Sequence, residues 1–454
     1  MKYDKLEFSS ADDLLFGKSG EPVKCGLDLE IGNGRVVPEI NYMPKVDDWS
    51  NFDEVLESYR GITESVLRRA VNLGIYSVVL ETEFVESLNM NLEHTREILE
   101  MQKSRMEEYH DEYGLKSALR STVADLRKMD ESIYQSERWN KMMEAFEVSV
   151  EGGADIVSIE SRGGQEVFSH SMMRGDLEGM IFSQLLAEVD MRRLWEEIVN
   201  ITRKGKSLPG GDTACAFANS FMKLADGLVD RKVSHVVAAV IRAATAPRSL
   251  IAFEEGATGP DKDCGYEGIY MKAITGKPIS MEGKTSACAH SSLIGNIPAT
   301  ACDLWSNESV ENLKLFGGNT PEVFLEMLSY DCRTMNESLD LSKEKEYRDI
   351  LTASNKFLDP QALVLAPEPA VRISKAVVNA ESFYRSVVAA AREAVKIIKE
   401  NGENLSLPQK ERGYLEKTEE ELEALPEKKS KFLDENISKY DDRVKEFEPE
   451  NYGL

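Results

Sequence analysis

The sequence predicts an α/β protein that folds as a (β/α)8 TIM barrel, and two observations favour this fold class. Strand-like segments follow helix-like segments at a regular spacing, since Glu81, Arg120 and Glu160, which mark three strand ends, lie 39 and 40 residues apart. Eight such units need roughly 320 residues, which a chain of 454 residues supplies. A doubly wound sheet is the structural alternative, and the lack of a GxGxxG motif after any strand-like segment weakens it.

The first complete unit joins an amphipathic helix to a buried strand. Apolar residues recur at spacings of three and four over residues 54–73, which predicts a helix, and Gly74 supplies a left-handed C-cap. The run 75–80 is β-branched and almost entirely apolar, which is typical of a buried parallel strand. The same pattern predicts three more strands, at 35–40, 115–119 and 154–158.

Later parts of the chain follow this spacing less clearly. Beyond residue 190 the pattern predicts helices, at 189–206, 213–229 and 382–400. We expect a catalytic domain over residues 1–400, made of the barrel with an N-terminal extension and inserted helices. Residues 401–454 hold 15 acidic and 9 basic side chains and few apolar anchors, which predicts a charged, solvated, helical C-terminal extension.

The composition limits the partners and the compartment. A net charge of −25 repels nucleic acid and anionic lipid, so we expect neither as a partner. The first residues are polar and lack the apolar region of a signal peptide, and the longest apolar runs, such as 236–241, are far shorter than the ~20 residues of a membrane-spanning helix. We therefore expect a cytoplasmic protein whose six cysteines are thiols.

Several common catalytic motifs are missing from the sequence. The five histidines form no HExxH or HxH pair, and the chain contains neither a Walker loop nor a GxSxG nucleophile elbow. Hydrolytic and nucleotide-dependent chemistry therefore have little support. No CxxC pair occurs either, so a metal site would have to take its ligands from distant segments.

Glu160 is the first candidate for chemistry. It follows the predicted strand 154–158, and the carboxyl ends of barrel strands face the active site. A carboxylate at that position is better placed for chemistry than for packing, although an ordinary polar residue of the rim is the alternative.

Two cysteines lie in surroundings that favour a thiolate or a metal ligand. Cys215 follows Pro209-Gly210-Gly211-Asp212, which we interpret as a loop that leads into a helix N-terminus, where a thiol pKa is lowered. Cys264 lies in a polar, glycine-containing loop, which is unusual for a core cysteine. Cys288 and His290 form the rival ligand pair, because residues two apart share one face of a strand. The remaining cysteines are interpreted as small buried apolar residues: Cys25, Cys302 and Cys332.

Five segments together resemble one enzyme family. They are residues 23–32, 37–42, 158–160, 209–215 and 263–265. In this order the segments are similar to the methanol:corrinoid methyltransferases, specifically to their methanol-activating subunit, and the likeness extends over roughly residues 20–400.

The resemblance implies a (β/α)8 barrel with one zinc ion per chain, held by Glu160, Cys215 and Cys264. It also implies a partner, a cobalamin-carrying corrinoid protein that accepts the methyl group of methanol on Co(I), and a homodimer within the larger complex. The pathway would be methanol-dependent methanogenesis or acetogenesis. Three protein ligands leave a fourth zinc position open for a substrate, where zinc acts as a Lewis acid on the methanol oxygen.

The sequence leaves the proton donor and the exact substrate open. Two thiolates and a carboxylate weaken the acidity of zinc, so we expect a nearby donor to the leaving oxygen; the candidates are Asp212, Asp263, Glu81 and Glu30. A barrel enzyme that uses zinc on another small substrate, such as a methylamine, is one alternative. A metal-free scaffold barrel is the other.

Overall fold

The computed structural model describes residues 2–44, 49–225, 233–261, 266–279, 294–303, 309–310, 314–315 and 317–454. An antiparallel hairpin comes first, formed by β1 (Lys18–Cys25) and β2 (Leu29–Asn33). Six parallel strands of the main sheet lie in the described residues: β3 (Glu39–Met43), β4 (Ser77–Glu83), β5 (Lys116–Val123), β6 (Ile156–Ile159), β7 (Leu208–Asp212) and β8 (Ser309–Val310). Their spatial order is β7-β6-β5-β4-β3-β8. A short antiparallel ribbon pairs β9 (Lys314–Leu315) with β10 (Gly318–Asn319).

Irregular segments continue the sheet beyond β7. The backbone N–H of Thr258 donates to the carbonyl of Pro209 on β7 at 2.9 Å, and the N–H of Asp261 donates to the carbonyl of Pro278 at 3.2 Å. At the other edge β8 pairs in parallel with β3. The segments around Thr258 and Pro278 therefore take the sixth and seventh places of the ring, and the predicted (β/α)8 barrel is confirmed.

Helices pack against the sheet and against one another. They are α1 (Phe52–Asn72), α2 (Glu86–Met90), α3 (Leu92–Tyr113), α4 (Glu137–Glu151), α5 (Gln165–Met172), α6 (Leu177–Thr202), α7 (Ser220–Ala225), α8 (His235–Ala244), α9 (Ala246–Glu255), α10 (Gly268–Thr275), α11 (Thr320–Asp340), α12 (Glu344–Asn355), α13 (Pro360–Leu365), α14 (Pro367–Val378), α15 (Phe383–Glu400), α16 (Gln409–Ala424) and α17 (Lys429–Asp441). The helices predicted at 54–73 and 382–400 are therefore confirmed as α1 and α15. One stretch, His235–Glu255, has the length and apolarity of a membrane span, but its most apolar window is entirely buried inside the protein, so α8 and α9 are core helices.

The register of the strands separates residues that the sequence places at equal spacing. Asn41 pairs with Glu81, and Glu81 pairs with Arg120, so these three lie at one level of the barrel. Arg120, however, pairs with Ile156 on β6. Glu160 therefore lies four residues further along, beyond the carboxyl end of its strand, while Glu81 stays inside the barrel.

An arginine spans the barrel interior. Nε of Arg120 donates to Oε1 of Glu39 at 2.6 Å, and Nη1 donates to Oγ of Ser158 at 2.9 Å and to the carbonyl of Pro260 at 3.1 Å. These partners lie on three other segments of the ring, and the Arg120 and Glu39 side chains are fully buried. Gly210 leaves the necessary room, because a Cβ there would lie 2.9 Å from Nη1 of Arg120.

The glycine pair of β7 corrects one prediction. Residues 209–212 were predicted to form a loop, and this is wrong, because they form most of β7. Gly211 has φ of +143°, and a Cβ there would meet Oδ1 of Asp261 at 1.9 Å. The glycines therefore allow close packing of neighbouring barrel segments, and the turn into a helix comes only after Asp212.

The predicted helical extension packs against the barrel helices. It contains α16 and α17, and aromatic side chains anchor it in the same apolar core as Phe182 of α6: Phe432, Tyr440, Phe447 and Tyr452. Most of the segment is exposed, as predicted for a solvated extension, but the sequence pattern did not reveal these buried anchors. The average composition conceals them because acidic and basic residues surround each aromatic one. The domain boundary at residue 401 stays a prediction.

The buried pair inside the barrel gives the first testable prediction. Arg120→Met should lower the free energy of unfolding in urea by about 3–5 kcal/mol, because it leaves the carboxylate of Glu39 buried without its cation. The double variant Arg120→Met/Glu39→Gln should recover most of that loss. Arg105→Met, which removes the exposed ion pair with Glu108, is the control and should cost less than about 1 kcal/mol. Equal effects of Arg120→Met and Arg105→Met would contradict the assigned role of the interior pair.

Candidate functional site

Glu160 and Cys215 lie at the carboxyl ends of neighbouring strands. Ile159 on β6 pairs with Asp212 on β7, so Glu160 follows the paired level by one residue and Cys215 by three. Both side chains are partly buried. The structure thus brings these two predicted residues to one sector of the rim where barrel active sites lie.

A buried arginine joins the two segments that carry them. Nη2 of Arg248 on α9 donates to the carbonyl and to Oγ of Ser161, at 3.0 and 2.6 Å. Its Nη1 donates to the carbonyl of Thr213 at 3.0 Å. The residue after Glu160 and the residue two before Cys215 are therefore fixed to one rigid, planar group.

Asp212 balances the charge of Arg248. Its Oδ1 accepts from Nη2 of Arg248 and from the N–H of Ser161, both at 3.3 Å, and its Oδ2 accepts from Nε1 of Trp195 at 3.1 Å. Burial raises the pKa of Asp212, and the cation of Arg248 opposes that shift. Both carboxylate oxygens of Asp212 already accept hydrogen bonds. This geometry suits a residue that joins the ends of β6 and β7.

Cys215 begins a short π-helical turn, Cys215–Asn219, that leads into α7. Its Sγ accepts from Oγ1 of Thr213 at 3.2 Å and from Nδ2 of Asn219 at 3.5 Å. Donors of this kind favour the thiolate form, which is the form that binds metals. The predicted helix N-terminus at Cys215 is confirmed, with a π-helical first turn of a type that occurs often at functional sites.

The orientation of Asn219 is fixed by charged neighbours. Nη1 of Arg242 on α8 donates to Oδ1 of Asn219 at 2.6 Å and to Oε1 of Glu267 at 2.5 Å. A guanidinium can only donate, so the amide oxygen of Asn219 must face Arg242 and the NH2 group must face Cys215. Burial raises the pKa of Glu267, and Arg242 opposes that shift.

The other proton-donor candidates fall at different places. Glu81 is fully buried in the barrel interior, where its Oε1 accepts from Oγ1 of Thr122 at 2.6 Å. Glu30 lies on β2, and the hairpin turn next to it is bonded to the start of β5, because the N–H of Leu27 donates to the carbonyl of Ser117 at 2.7 Å. Glu30 is therefore near the amino ends of the strands, on the opposite side from Glu160, and this placement removes it as a donor at the rim.

Several predicted residues lie outside the described part of the chain: Cys264, Asp263, Cys288 and His290. No group of three metal-ligating side chains occurs among the residues that the structure does describe. Cys264, the third predicted ligand, lies outside them. Asp261, three residues before Cys264, is held in the sixth segment of the ring by its bond to Pro278. The predicted ligands thus follow three consecutive ring segments in the chain.

Two of the three remaining cysteines are buried as predicted, and the third is only partly buried. Cys302 and Cys332 are buried, which confirms their interpretation as core residues. Cys25 is partly exposed, and burial of its thiol raises the pKa to about 12. A thiol with so high a pKa is protonated at neutral pH and is a poor metal ligand.

Comparisons with known proteins show which proteins this chain resembles. The family described as Methanol-cobalamin methyltransferase B subunit matches residues 1–453. The curated methanol–corrinoid protein co-methyltransferase of Methanosarcina barkeri (strain Fusaro / DSM 804) is 43% identical over 100% of this chain and 99% of its own length. The crystal structure of the methanol:cobalamin methyltransferase complex MtaBC from Methanosarcina barkeri superposes with a TM-score of 0.96 at 42% identity, covering 100% of this chain and 99% of that chain. The chain belongs to the family of methanol-cobalamin methyltransferase B subunits.

Proposed function

We propose that this protein transfers the methyl group of methanol to the Co(I) corrinoid of a partner protein, in methanol-dependent methanogenesis or acetogenesis. The observation that carries the proposal is the joining of the Glu160 and Cys215 segments by Arg248, at the rim where barrel enzymes bind substrates. The full-length similarity to methanol–corrinoid protein co-methyltransferase supports the substrate and the acceptor. A cytoplasmic location stays a prediction from the sequence.

We further propose one zinc ion per chain, with Glu160, Cys215 and Cys264 as its ligands. The donor types fit, because carboxylate oxygens and thiolates bind zinc and three ligands are typical of a catalytic site. The two hydrogen bonds to Sγ of Cys215 favour the thiolate that such a site needs. Bound there, zinc supplies a Lewis acid for the hydroxyl group of methanol.

The reaction consumes one proton for each methyl group that is transferred. The electron pair of Co(I) forms the bond to the methyl carbon, the C–O bond breaks, and the oxygen takes up a proton and leaves as water while cobalt becomes Co(III). The residues of this chain fix the geometry: Arg248 and Asp212 hold the two segments of the rim together, and Arg242 orients Asn219 towards Cys215. Preorganised groups of this kind need no reorganisation during the reaction.

The first experiment tests the ligands. We expect one zinc per purified chain, lost in Cys215→Ala and reduced in Glu160→Gln, because each change removes a charged ligand. Methanol-dependent methylation of Co(I) cobalamin should fall in parallel in both variants. Cys25→Ala, which changes a cysteine near the amino ends of the strands, is the control and should keep zinc and activity. Full zinc content in Cys215→Ala would refute the ligand set and favour Cys288 and His290.

The second experiment tests the hydrogen bond to Cys215. Asn219→Ala should weaken zinc binding by about tenfold, since partners of metal ligands typically contribute that much to affinity. The measurement is a competition with a chromophoric chelator on the full chain. Asn200→Ala, which truncates an exposed asparagine on α6, is the matched control. Equal zinc affinities in the two variants would show that Asn219 does not support the ligand.

We also propose a homodimer formed through the outer face of α11. Tyr330 and Met327 on α11 are 67% and 43% exposed, and Tyr76 is 83% exposed. The two regions adjoin, because Nη2 of Arg333 donates to the carbonyl of Leu73 at 3.3 Å. Large apolar side chains that face solvent together are typical of a subunit interface.

The third experiment tests this interface. The wild type should have the mass of a dimer by light scattering, and Tyr330→Asp should shift the mass towards that of a monomer, because burying an unpaired carboxylate at the interface is costly. Glu326→Asp, one turn earlier on α11, leaves the charge of the helix unchanged and should remain dimeric. A monomeric wild type would refute the proposal, as would an unchanged dimer in Tyr330→Asp.

A further inference from the structure

The turn between β6 and α5 is held by side chains from distant parts of the chain. It contains residues 160–164 and carries Glu160 at its start. The backbone N–H of Arg162 donates to Oδ2 of Asp125 at 2.9 Å, and the N–H of Gly164 donates to the hydroxyl of Tyr452 at 2.8 Å. The turn is tightly packed, because a Cβ on Gly163 would lie 2.2 Å from Oδ2 of Asp190.

Tyr452 lies 288 residues along the chain from Gly164 and is only 3% exposed. Its hydroxyl donates to Oε1 of Glu166 on α5 at 2.7 Å while it accepts from Gly164, so one hydroxyl bonds both to the turn and to the helix after it. Burial raises the pKa of Glu166 to about 7, and the tyrosine hydroxyl opposes that shift. Tyr452 thus links the end of the turn to the helix that follows it.

Asn451, the residue before Tyr452, binds the C-terminal end of the described chain to a second loop at the rim. Nδ2 of Asn451 donates to the carbonyls of Met129 and Glu131, at 3.1 and 2.8 Å. Its Oδ1 accepts from the N–H of Ile133 at 3.2 Å. This loop follows β5, so Asn451 and Tyr452 connect the loops that follow two neighbouring strands of the barrel.

We propose that Tyr452 is a positioning residue that holds the turn 160–164 and thereby sets the place of Glu160. This inference rests on the proposed function in so far as Glu160 is a zinc ligand. A buried N–H without a partner is unfavourable, so loss of the hydroxyl favours conformations in which the N–H of Gly164 reaches water. Such movement displaces a ligand, and metal sites need their ligands held to within about 0.5 Å.

The test compares two tyrosine variants of the full chain. Tyr452→Phe keeps the ring and removes the hydroxyl, while Tyr440→Phe, the matched control, removes a buried hydroxyl that donates to Asp176, outside the turn. Hydrogen exchange of the amides of 160–164 is measured first, followed by zinc affinity in a chelator competition. We expect Tyr452→Phe to exchange these amides about tenfold faster and to bind zinc about tenfold more weakly. Tyr440→Phe should match the wild type in both.

Glu166→Gln gives a second check on the mechanism. It keeps an oxygen that accepts from Tyr452, so exchange in the turn and zinc affinity should stay close to wild type, because the Tyr452 hydroxyl that accepts from Gly164 is unchanged. Equal exchange of 160–164 in Tyr452→Phe and Tyr440→Phe would overturn the positioning role. Faster exchange in Tyr452→Phe with unchanged zinc affinity would also overturn it, because the turn would then not place a ligand. A wild type that binds no zinc would refute the ligand set itself, and the exchange measurement alone would then decide whether Tyr452 holds the turn.

Discussion

The arrangement of the rim depends on the buried guanidinium of Arg248. A cation without exposure to solvent is stable only if nearly all of its donors find acceptors, and Asp212, Ser161 and Thr213 supply them from the ends of β6 and β7. The ring of Phe217 lies 4.6 Å from the guanidinium and covers one face of it. The hydrogen bonds of Arg248 fix the distance between the segments that carry Glu160 and Cys215. One buried cation therefore determines the relative positions of two candidate ligands.

The same constraint recurs inside the barrel and beside Cys215. Arg120 donates to Glu39, Ser158 and the carbonyl of Pro260, and Arg242 donates to Glu267 and Asn219. In each case the arginine crosses between elements that are distant in sequence, and its fixed fork of donors dictates which atoms face it. The barrel is therefore held by polar networks at its centre and rim, while apolar packing between the sheet and the helices stabilises its outside.

The sequence predicted the barrel and the strand ends because both follow from local patterns. Glu160 and Cys215 were identified since each comes directly after a strand-like or glycine-rich segment. The register of the strands could not be predicted from the sequence. Equal spacing suggested that Arg120 and Glu160 lie at one level of the barrel, and only the strand pairing shows the shift of four residues. Arg248 and Asn219 were missed because their importance comes from contacts across the fold. Two arginines, Arg242 and Arg248, interrupt the apolar stretch 235–255, and this was a sequence signal that could have identified Arg248.

The segment after residue 401 shows why average composition misleads about function. Its many charges predicted a solvated extension, yet aromatic anchors such as Tyr440 and Tyr452 are buried against α5 and α6. The position of each anchor matters more than the number of anchors, because the one hydroxyl of Tyr452 accepts from the backbone N–H of Gly164 in the turn. Glu160 is thereby held from two sides, by Arg248 and Asp212 at the start of its turn and by Tyr452 at the end. The precision of this rim therefore depends on residues from β5 to the last few positions of the chain, and no contiguous segment could supply it alone.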